Sequence, residues 1–198
     1  MMTVQPIKSK ATIRAIKGII TEKETANTSR NLLLWILGTN TGLRISDILK
    51  LKLKDVTDNK GKIKGSIELV EQKTKRPRII VIRPPVKKAL EHFLKDTGIY
   101  DRNEYLFKDR RKGKDSVNRP ITRVRCWQMI NDWGKKAGVT FRIGTHTLRK
   151  IFGTHAFKAG IPLIYISNEL GHRNIEVTKR YLGITAEESR KAFKNFEV

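Results

Sequence analysis

The sequence predicts a mainly α-helical domain that carries one small antiparallel β-sheet, an α+β fold. Apolar residues recur at helical spacing along most of the 198 residues, the pattern of helices that bury one face. Only residues 63–70 and 77–82, on either side of the lysine-rich turn 72–76, alternate β-branched with polar residues as strands do. There is no internal repeat and no long linker, so we expect a single domain.

The first half of the chain is predicted to hold four helices around this hairpin. An amphipathic helix over residues 6–20 opens the chain, and a helix over 28–39, dense in leucine, is the expected core helix. Gly42 is expected to end it, because glycine readily adopts the left-handed turn that closes helices. A short helix over 45–51 follows, and a proline pair begins a helix over 84–95.

The second half is predicted to be helical after a basic, polar loop over 108–119. This loop is either solvated or in contact with DNA. Helix 121–136 should bury four apolar residues spaced by three: Val124, Trp127, Ile130 and Trp133. Four short helices separated by glycines should close the chain, over residues 145–159, 162–170, 175–182 and 185–196.

The charge of the chain predicts a polyanionic partner. The formal net charge is +23, from 42 Lys and Arg against 19 Asp and Glu. A field of this sign favours nucleic acid first, and an RNA-binding or membrane-surface protein is the weaker alternative. Apolar residues make up 38% of the chain, which argues against disorder.

The single cysteine and the short apolar runs bear on location. Cys126 has no partner for an internal disulfide and is expected to pack as a small apolar group. No run is long enough to span a bilayer, and the start lacks the apolar region of a signal peptide. We therefore expect a cytoplasmic, nucleoid-associated protein in a reducing compartment.

Three short motifs carry the candidate chemistry. His146 and Arg149 stand three residues apart, so both side chains lie on one helix face. A glycine turn places His172 nine residues before Tyr181. Each pattern taken alone is explained by ordinary packing. The third motif, residues 41–47, reads Thr-Gly-Leu-Arg-Ile-Ser-Asp.

Together these motifs resemble the tyrosine recombinase, or phage integrase, family over about residues 30–196. In that family the site is built from six residues: an arginine in a T-G-x-R helix, a lysine at a β-hairpin tip, the histidine and arginine of an H-x-x-R motif, the histidine of an L-G-H motif, and a later tyrosine. The matching positions here are Arg44, Lys73, His146, Arg149, His172 and Tyr181. Asp47 matches an acidic helix position that orients its neighbours, and Lys75 is the alternative to Lys73. The expected DNA contacts are Lys75, Arg76, Lys150 and Arg173.

The residue types suit phosphoryl transfer. Two forked guanidiniums can hold the charge that grows on the nonbridging oxygens of an attacked phosphodiester. A phenol is a nucleophile whose phosphate ester keeps the bond energy for rejoining, so neither metal nor ATP nor another cofactor is implied. Lys73 would protonate the departing 5′ oxygen, His146 would help deprotonate Tyr181, and His172 would donate to the phosphate. The acidic residues Asp47, Asp55 and Asp58 are adjacent only in sequence.

The resemblance implies a site-specific recombinase that works through a 3′-phosphotyrosyl intermediate. A type IB topoisomerase and a non-catalytic DNA-binding regulator are the alternatives. We expect residues 1–26 to form an N-terminal arm, 27–181 the catalytic core and 182–198 a tail helix that packs on its own domain or on a neighbouring protomer. Most relatives carry an additional N-terminal DNA clamp, which we expect this chain to lack. Double-stranded DNA, a tetramer on DNA and an accessory DNA-bending protein are the expected partners.

Overall fold

The computed structural model of the protein describes residues 4–109 and 118–184. Over these residues the fold is mainly helical with one two-stranded antiparallel sheet, which confirms the predicted fold class. The elements in chain order are α1 (Lys10–Thr21), α2 (Thr28–Thr41), α3 (Ile45–Leu49), α4 (Leu53–Val56), β1 (Ser66–Val70), β2 (Pro77–Val81), α5 (Pro84–Thr97), α6 (Arg123–Lys136), α7 (Thr145–Lys158), α8 (Leu163–Glu169) and α9 (Ile175–Leu182).

Helix α2 is the centre of the core, as its leucine density predicts. It packs against α1, α5 and α7, and Leu33, Leu34 and Leu37 are fully buried along it. Its close approach to α7 depends on Gly38, because a Cβ there would lie 2.5 Å from Leu148 Cδ1. At the end of α2, Gly42 has φ +63° and turns the chain into α3.

The hairpin has one buried and one exposed face. Ile67 pairs with Ile80 across the two strands, and both side chains point into the core. Val70, Ile79 and Val81 point outward and are more than half exposed. This alternation follows from the two-residue period of a strand. The buried face fixes the register, and the register in turn fixes where the basic turn between the strands stands.

Helix α6 corrects one prediction. Val124 is 64% and Trp127 is 48% exposed, whereas Ile130 and Trp133 are buried. A step of three residues rotates the side chain by about 60° relative to the helix axis, so four such residues cannot share one narrow face. Cys126 is buried, as predicted, and it shares the inner face with Ile130 and Trp133.

The element boundaries mostly follow the predictions, with small differences. The sequence did not predict α4, a single turn between α3 and the hairpin. The predicted tail helix 185–196 and most of the predicted loop 108–119 lie outside the described residues. In the ranges that the structure does describe, no helix is both long and apolar enough to cross a membrane.

Candidate active site

Arg44 stands at the N-terminal end of α3, two residues after the left-handed turn at Gly42. The short helix is anchored by Ile45 and Ile48, which are buried in the core. The guanidinium is largely buried, and its Nη1 lies 2.6 Å from Oε1 of Glu71. Backbone and ion pair together fix the orientation of Arg44.

Arg149 lies in α7 and is 3% exposed. Its Nη1 donates to the carbonyl of Gly42 and its Nη2 to the carbonyl of Leu170. These two residues are the C-caps of α2 and α8, where free carbonyls favour a cation. Burial lowers the pKa of Arg149 to about 10, against the raising effect of Tyr181. The group is therefore charged at neutral pH and fixed between two helix ends.

Glu71 is the residue that holds this half of the site together, and it was not among the predicted site residues. It is 1% exposed. Its carboxylate forms an ion pair with Arg44 Nη1 at 2.6 Å and accepts hydrogen bonds from Arg78 Nη1 at 2.8 Å and from Thr74 Oγ1 at 2.5 Å. Burial alone would raise the pKa of this carboxyl group. The hydrogen bonds from Thr74 and Arg78, together with the positive charge of Arg44, outweigh burial and lower the pKa to about 2.

Tyr181 projects from α9 toward the arginines. Its ring meets the ring of His172 edge to face, with centroids 5.2 Å apart and planes at 76°. Its hydroxyl lies 3.4 Å from the carbonyl oxygen of His146. Burial raises the pKa of the phenol to about 12, although the Arg149 and Arg44 guanidiniums act in the opposite direction. The tyrosine is therefore protonated at neutral pH and needs a proton acceptor to become a nucleophile.

His172 is half-buried beside Tyr181. Its Nδ1 lies 2.9 Å from Oγ1 of Thr178, a buried residue one turn before the tyrosine on α9. Burial, followed by the charges of Arg149 and Arg44, lowers the pKa of His172 to about 4. The ring is neutral at physiological pH, and Thr178 fixes its orientation.

His146 and Lys73 form the outer edge of the site. His146 lies in the first turn of α7 and reaches the surface. Partial burial of its ring lowers its pKa, and the cations Arg123, Arg149, Arg44 and Lys73 lower it further. Lys73, the weakest of these four influences, is exposed on the turn between β1 and β2.

Asp47 joins α3 to the same turn. The residue is buried, and its Oδ1 accepts from the backbone amide of Gln72 at 2.9 Å. Lys50 at the end of α3 donates to the side chain of Gln72 at 2.5 Å. The helix that carries Arg44 and the turn that carries Lys73 are thereby held in register.

The four residues predicted to contact DNA occupy two kinds of position. Lys75, Arg76 and Arg173 are exposed, and Lys75 has φ 56°, in the left-handed region. Lys150 is half-buried, with its Nζ 5.0 Å from the ring centroid of Tyr181. Three of the four are thus at the surface, and the fourth packs on the tyrosine.

Six predicted side chains converge from α3, the hairpin turn, α7 and the α8–α9 region. Sequence reasoning missed Glu71 and Arg78. The only sequence signal for Glu71 was its place next to a turn rich in basic residues. An acidic residue in such a place is usually a solvated surface charge. Within residues 4–109 and 118–184 no three His, Cys, Asp or Glu side chains are grouped to hold a metal ion.

A helical domain that brings two anchored arginines, two histidines and a tyrosine to one site, beside a lysine on a hairpin, has the architecture of DNA breaking and rejoining enzymes. The model of the phage integrase family matches residues 10–188. The chain therefore belongs to the phage integrase family.

Among curated proteins, the chain is 36% identical over 196 residues to the "Probable integrase/recombinase YoeC" of Bacillus subtilis, covering 99% of this chain and 98% of that protein. It is 31% identical over 166 residues to "Tyrosine recombinase XerA" of Pyrococcus furiosus, covering 82% of this chain and 53% of that one. The chain thus spans almost all of the first relative and about half of the second.

Solved structures share the fold. The XerA recombinase crystal structure aligns with a TM-score of 0.74 and 21% identity, over 100% of this chain and 66% of that one. The XerH site-specific recombinase bound to difH substrate, a pre-cleavage complex, aligns with a TM-score of 0.72 and 21% identity, over 100% and 56%. At this identity the likeness supports the fold alone.

Proposed function

We propose that the protein is a site-specific DNA recombinase in which Tyr181 is the nucleophile. The observation that carries this proposal is the position of Tyr181. Its ring packs edge to face on His172, and its hydroxyl is close enough to Arg44 and Arg149 for their positive charges to lower its pKa. Family membership agrees with it, and the relatives are named as recombinases or integrases.

The cleavage step follows from these groups. The Tyr181 oxygen forms a bond to the scissile phosphorus, its proton passes to His146, and the bond from phosphorus to the 5′ oxygen breaks. Lys73 supplies the proton that the 5′ oxygen takes up. Arg44 and Arg149 stabilise the charge on the nonbridging oxygens, and His172 donates to the same phosphate. The reverse reaction with a 5′ hydroxyl of a second duplex completes strand exchange.

The wider assembly is part of the same proposal. A tetramer on two DNA sites, with an accessory DNA-bending protein, would exchange strands at the nucleoid in the cytoplasm. The net charge of +23 supports DNA as the partner, and recombinase structures with similar folds were solved on DNA substrates. Exposed Lys75, Arg76 and Arg173 are the proposed backbone contacts. No feature of the described residues favours a topoisomerase or a non-catalytic regulator.

The direct test is a nicked suicide substrate, prepared as a set of duplexes that tile the DNA flanking the gene. The wild type is expected to form a covalent protein–DNA adduct on a denaturing gel, and Tyr181→Phe none. Tyr165→Phe is the matched control, because Tyr165 lies on α8, is 61% exposed and, within the described residues, has no hydrogen bond or ring contact with Arg44 or Arg149. An adduct that survives in Tyr181→Phe would remove Tyr181 from the proposed role.

A further inference from the structure

We propose that Glu71 is a positioning residue that holds Arg44 in the orientation needed for cleavage and couples it to the turn carrying Lys73. The inference rests on the proposed function, since it concerns the rate of the same reaction. Glu71 itself does not reach the substrate, because its carboxylate is buried beneath the arginines.

The contacts of Glu71 leave its carboxylate little freedom. Oε1 is shared between Arg44 Nη1 at 2.6 Å and Arg78 Nη1 at 2.8 Å. Oε2 accepts from Thr74 Oγ1 at 2.5 Å. A carboxylate that is 1% exposed, accepts hydrogen bonds from Thr74 and Arg78 and forms a close ion pair with Arg44 is strongly held, since charge-assisted contacts in a buried setting are strong. The arginine that it holds is therefore fixed as well.

The same residue closes the turn that presents Lys73. The Glu71 amide donates to the carbonyl of Arg76 at 3.0 Å, and the Lys75 amide donates to the carbonyl of Glu71 at 2.9 Å. Lys73 lies two residues after Glu71, inside this closed loop. Backbone and side chain of one residue thus tie the proposed general acid to the proposed phosphate ligand.

A third connection reaches the segment before His172. The other guanidinium bound to Glu71, Arg78, also donates to the carbonyl of Glu169. A Cβ placed on Gly171 would lie 3.4 Å from Glu71 Oε1, and Gly171 has φ +57°. The carboxylate therefore lies against the glycine turn that leads into His172. Three separate segments of the site meet at Glu71.

Charge and position predict opposite results for the loss of Glu71. If the carboxylate acted only through its charge, its removal would raise the positive potential around the phosphate and speed cleavage. If it acts by orienting Arg44, its removal slows cleavage although the site becomes more positive. The direction of the rate change therefore separates the two roles.

The experiment compares wild type, Glu71→Gln and Glu169→Gln on the nicked suicide substrate, with DNA affinity measured in parallel. Glu169 is the matched control, because it also pairs with Arg78, at 3.7 Å, but makes no contact with Arg44 in the described residues. We expect Glu71→Gln to slow adduct formation by about 10- to 100-fold, since small misplacement of a catalytic group has effects of that size. DNA affinity should change by less than about 3-fold, and Glu169→Gln should stay within about 3-fold of wild type in rate.

A methylphosphonate at the scissile position supplies a readout that a merely structural role would not move. It lacks the negative charge that Arg44 neutralises, so the defect of Glu71→Gln should shrink to less than about 3-fold on this substrate. Equal defects on both substrates, or a rate at or above the wild-type rate, would overturn the inference. Absence of an adduct with the wild type would instead refute the proposed function.

A second variant covers the case in which Glu71→Gln unfolds at the assay temperature. Thr74→Val removes only the hydroxyl that donates to Oε2 of Glu71 and nearly preserves the shape of the side chain. It is expected to fold and to slow cleavage by about 3- to 10-fold, with the same relief on the methylphosphonate. The proposal is contradicted if Thr74→Val cleaves at the wild-type rate and Glu71→Gln does so too. It is also contradicted if Thr74→Val cleaves at the wild-type rate and Glu71→Gln fails to fold.

Discussion

The two halves of the site differ in how their side chains are held. Arg149 is buried and donates to the ends of α2 and α8, and Arg44 is largely buried and paired with Glu71. Lys73 is exposed on a turn, and His146 reaches the surface at the beginning of α7. The groups proposed to bind charge are thus built into the core, while those proposed to move protons stand at its edge.

This difference follows from what each group must do. A group that stabilises charge is effective when it is oriented before the substrate arrives, because no energy is then spent on reorganisation. A proton donor must reach an oxygen that is present only when DNA is bound. Substitutions in the arginine half of the site (Arg44 and Arg149) are therefore expected to change both stability and activity. Substitutions in the lysine half (Lys73 and His146) are expected to change activity alone.

Lys73→Met should give the largest effect. We expect adduct formation to slow by about 10²- to 10⁴-fold, the range for loss of a general acid, with an unchanged melting temperature because the side chain is exposed. A 5′-bridging sulfur should restore the rate, since a thiolate leaves without a proton. Lys75→Met is the control on the same turn. If Lys75→Met shows the larger defect and the sulfur rescue, the two lysines exchange roles.

Arg149→Lys should slow adduct formation by about 10²- to 10³-fold, because a single ammonium cannot satisfy two carbonyls and also bind a phosphate oxygen. The substrate with a 5′-bridging sulfur should not restore the cleavage rate of Arg149→Lys. Arg83→Lys is a suitable control, because Arg83 also donates to a carbonyl near the end of α2, that of Asn40, but lies outside the proposed site. Rates within about 3-fold of wild type for Arg149→Lys would contradict the division into two halves.

Gly42→Ala should weaken the arginine half through the backbone. The added Cβ would lie 2.7 Å from the ring of Phe152 at a residue with φ +63°, so the free energy of unfolding should fall by about 2–4 kcal/mol in urea titrations. Gly98→Ala has nearly the same φ, +58°, with nothing within 4 Å of the new atom. It should cost only about 1 kcal/mol. Equal losses would show that the contact with Phe152 is unimportant.

The smallest effect is on the pH dependence of stability. The pKa of His172 is lowered to about 4, so between pH 6.5 and 4 the unfolded chain binds a proton that the folded protein does not. The free energy of unfolding should therefore fall as the pH drops through this window. One such group changes the free energy of unfolding by at most about 1.4 kcal/mol per pH unit. His172 is half-buried, so it should contribute only a fraction of that change. His172→Gln should show a shallower decline in urea titrations, whereas an unchanged slope would assign the decline to other groups.

Sequence alone predicted the parts of the molecule that depend on local rules. The core helix α2, its end at Gly42 and the hairpin follow from apolar spacing, glycine conformation and strand alternation. The outer face of α6 was misassigned, because equal spacing by three hides the rotation that exposes Trp127. Helix α4 is too short to show a period.

The candidate site divides in the same way. The positions of Arg44 and Arg149 were accessible because each sits in a short recognisable motif. Glu71 was not, because its burial depends on Arg44, at the start of α3, meeting Thr74 and Arg78 of the hairpin. A carboxylate that is followed by lysines in the sequence gives no sign that its partners are arginines from other elements.

The phenol of Tyr181 has a consequence for how long DNA would stay attached under the proposed function. An environment that raises the pKa of Tyr181 to about 12 disfavours the phenolate as product just as it disfavours it as reactant. Leaving the phosphorus therefore requires that a proton be returned to the phenol oxygen, just as attack required that one be removed. The cut strand stays joined to the protein until that proton arrives. That interval is the time in which a second duplex can take the place of the first.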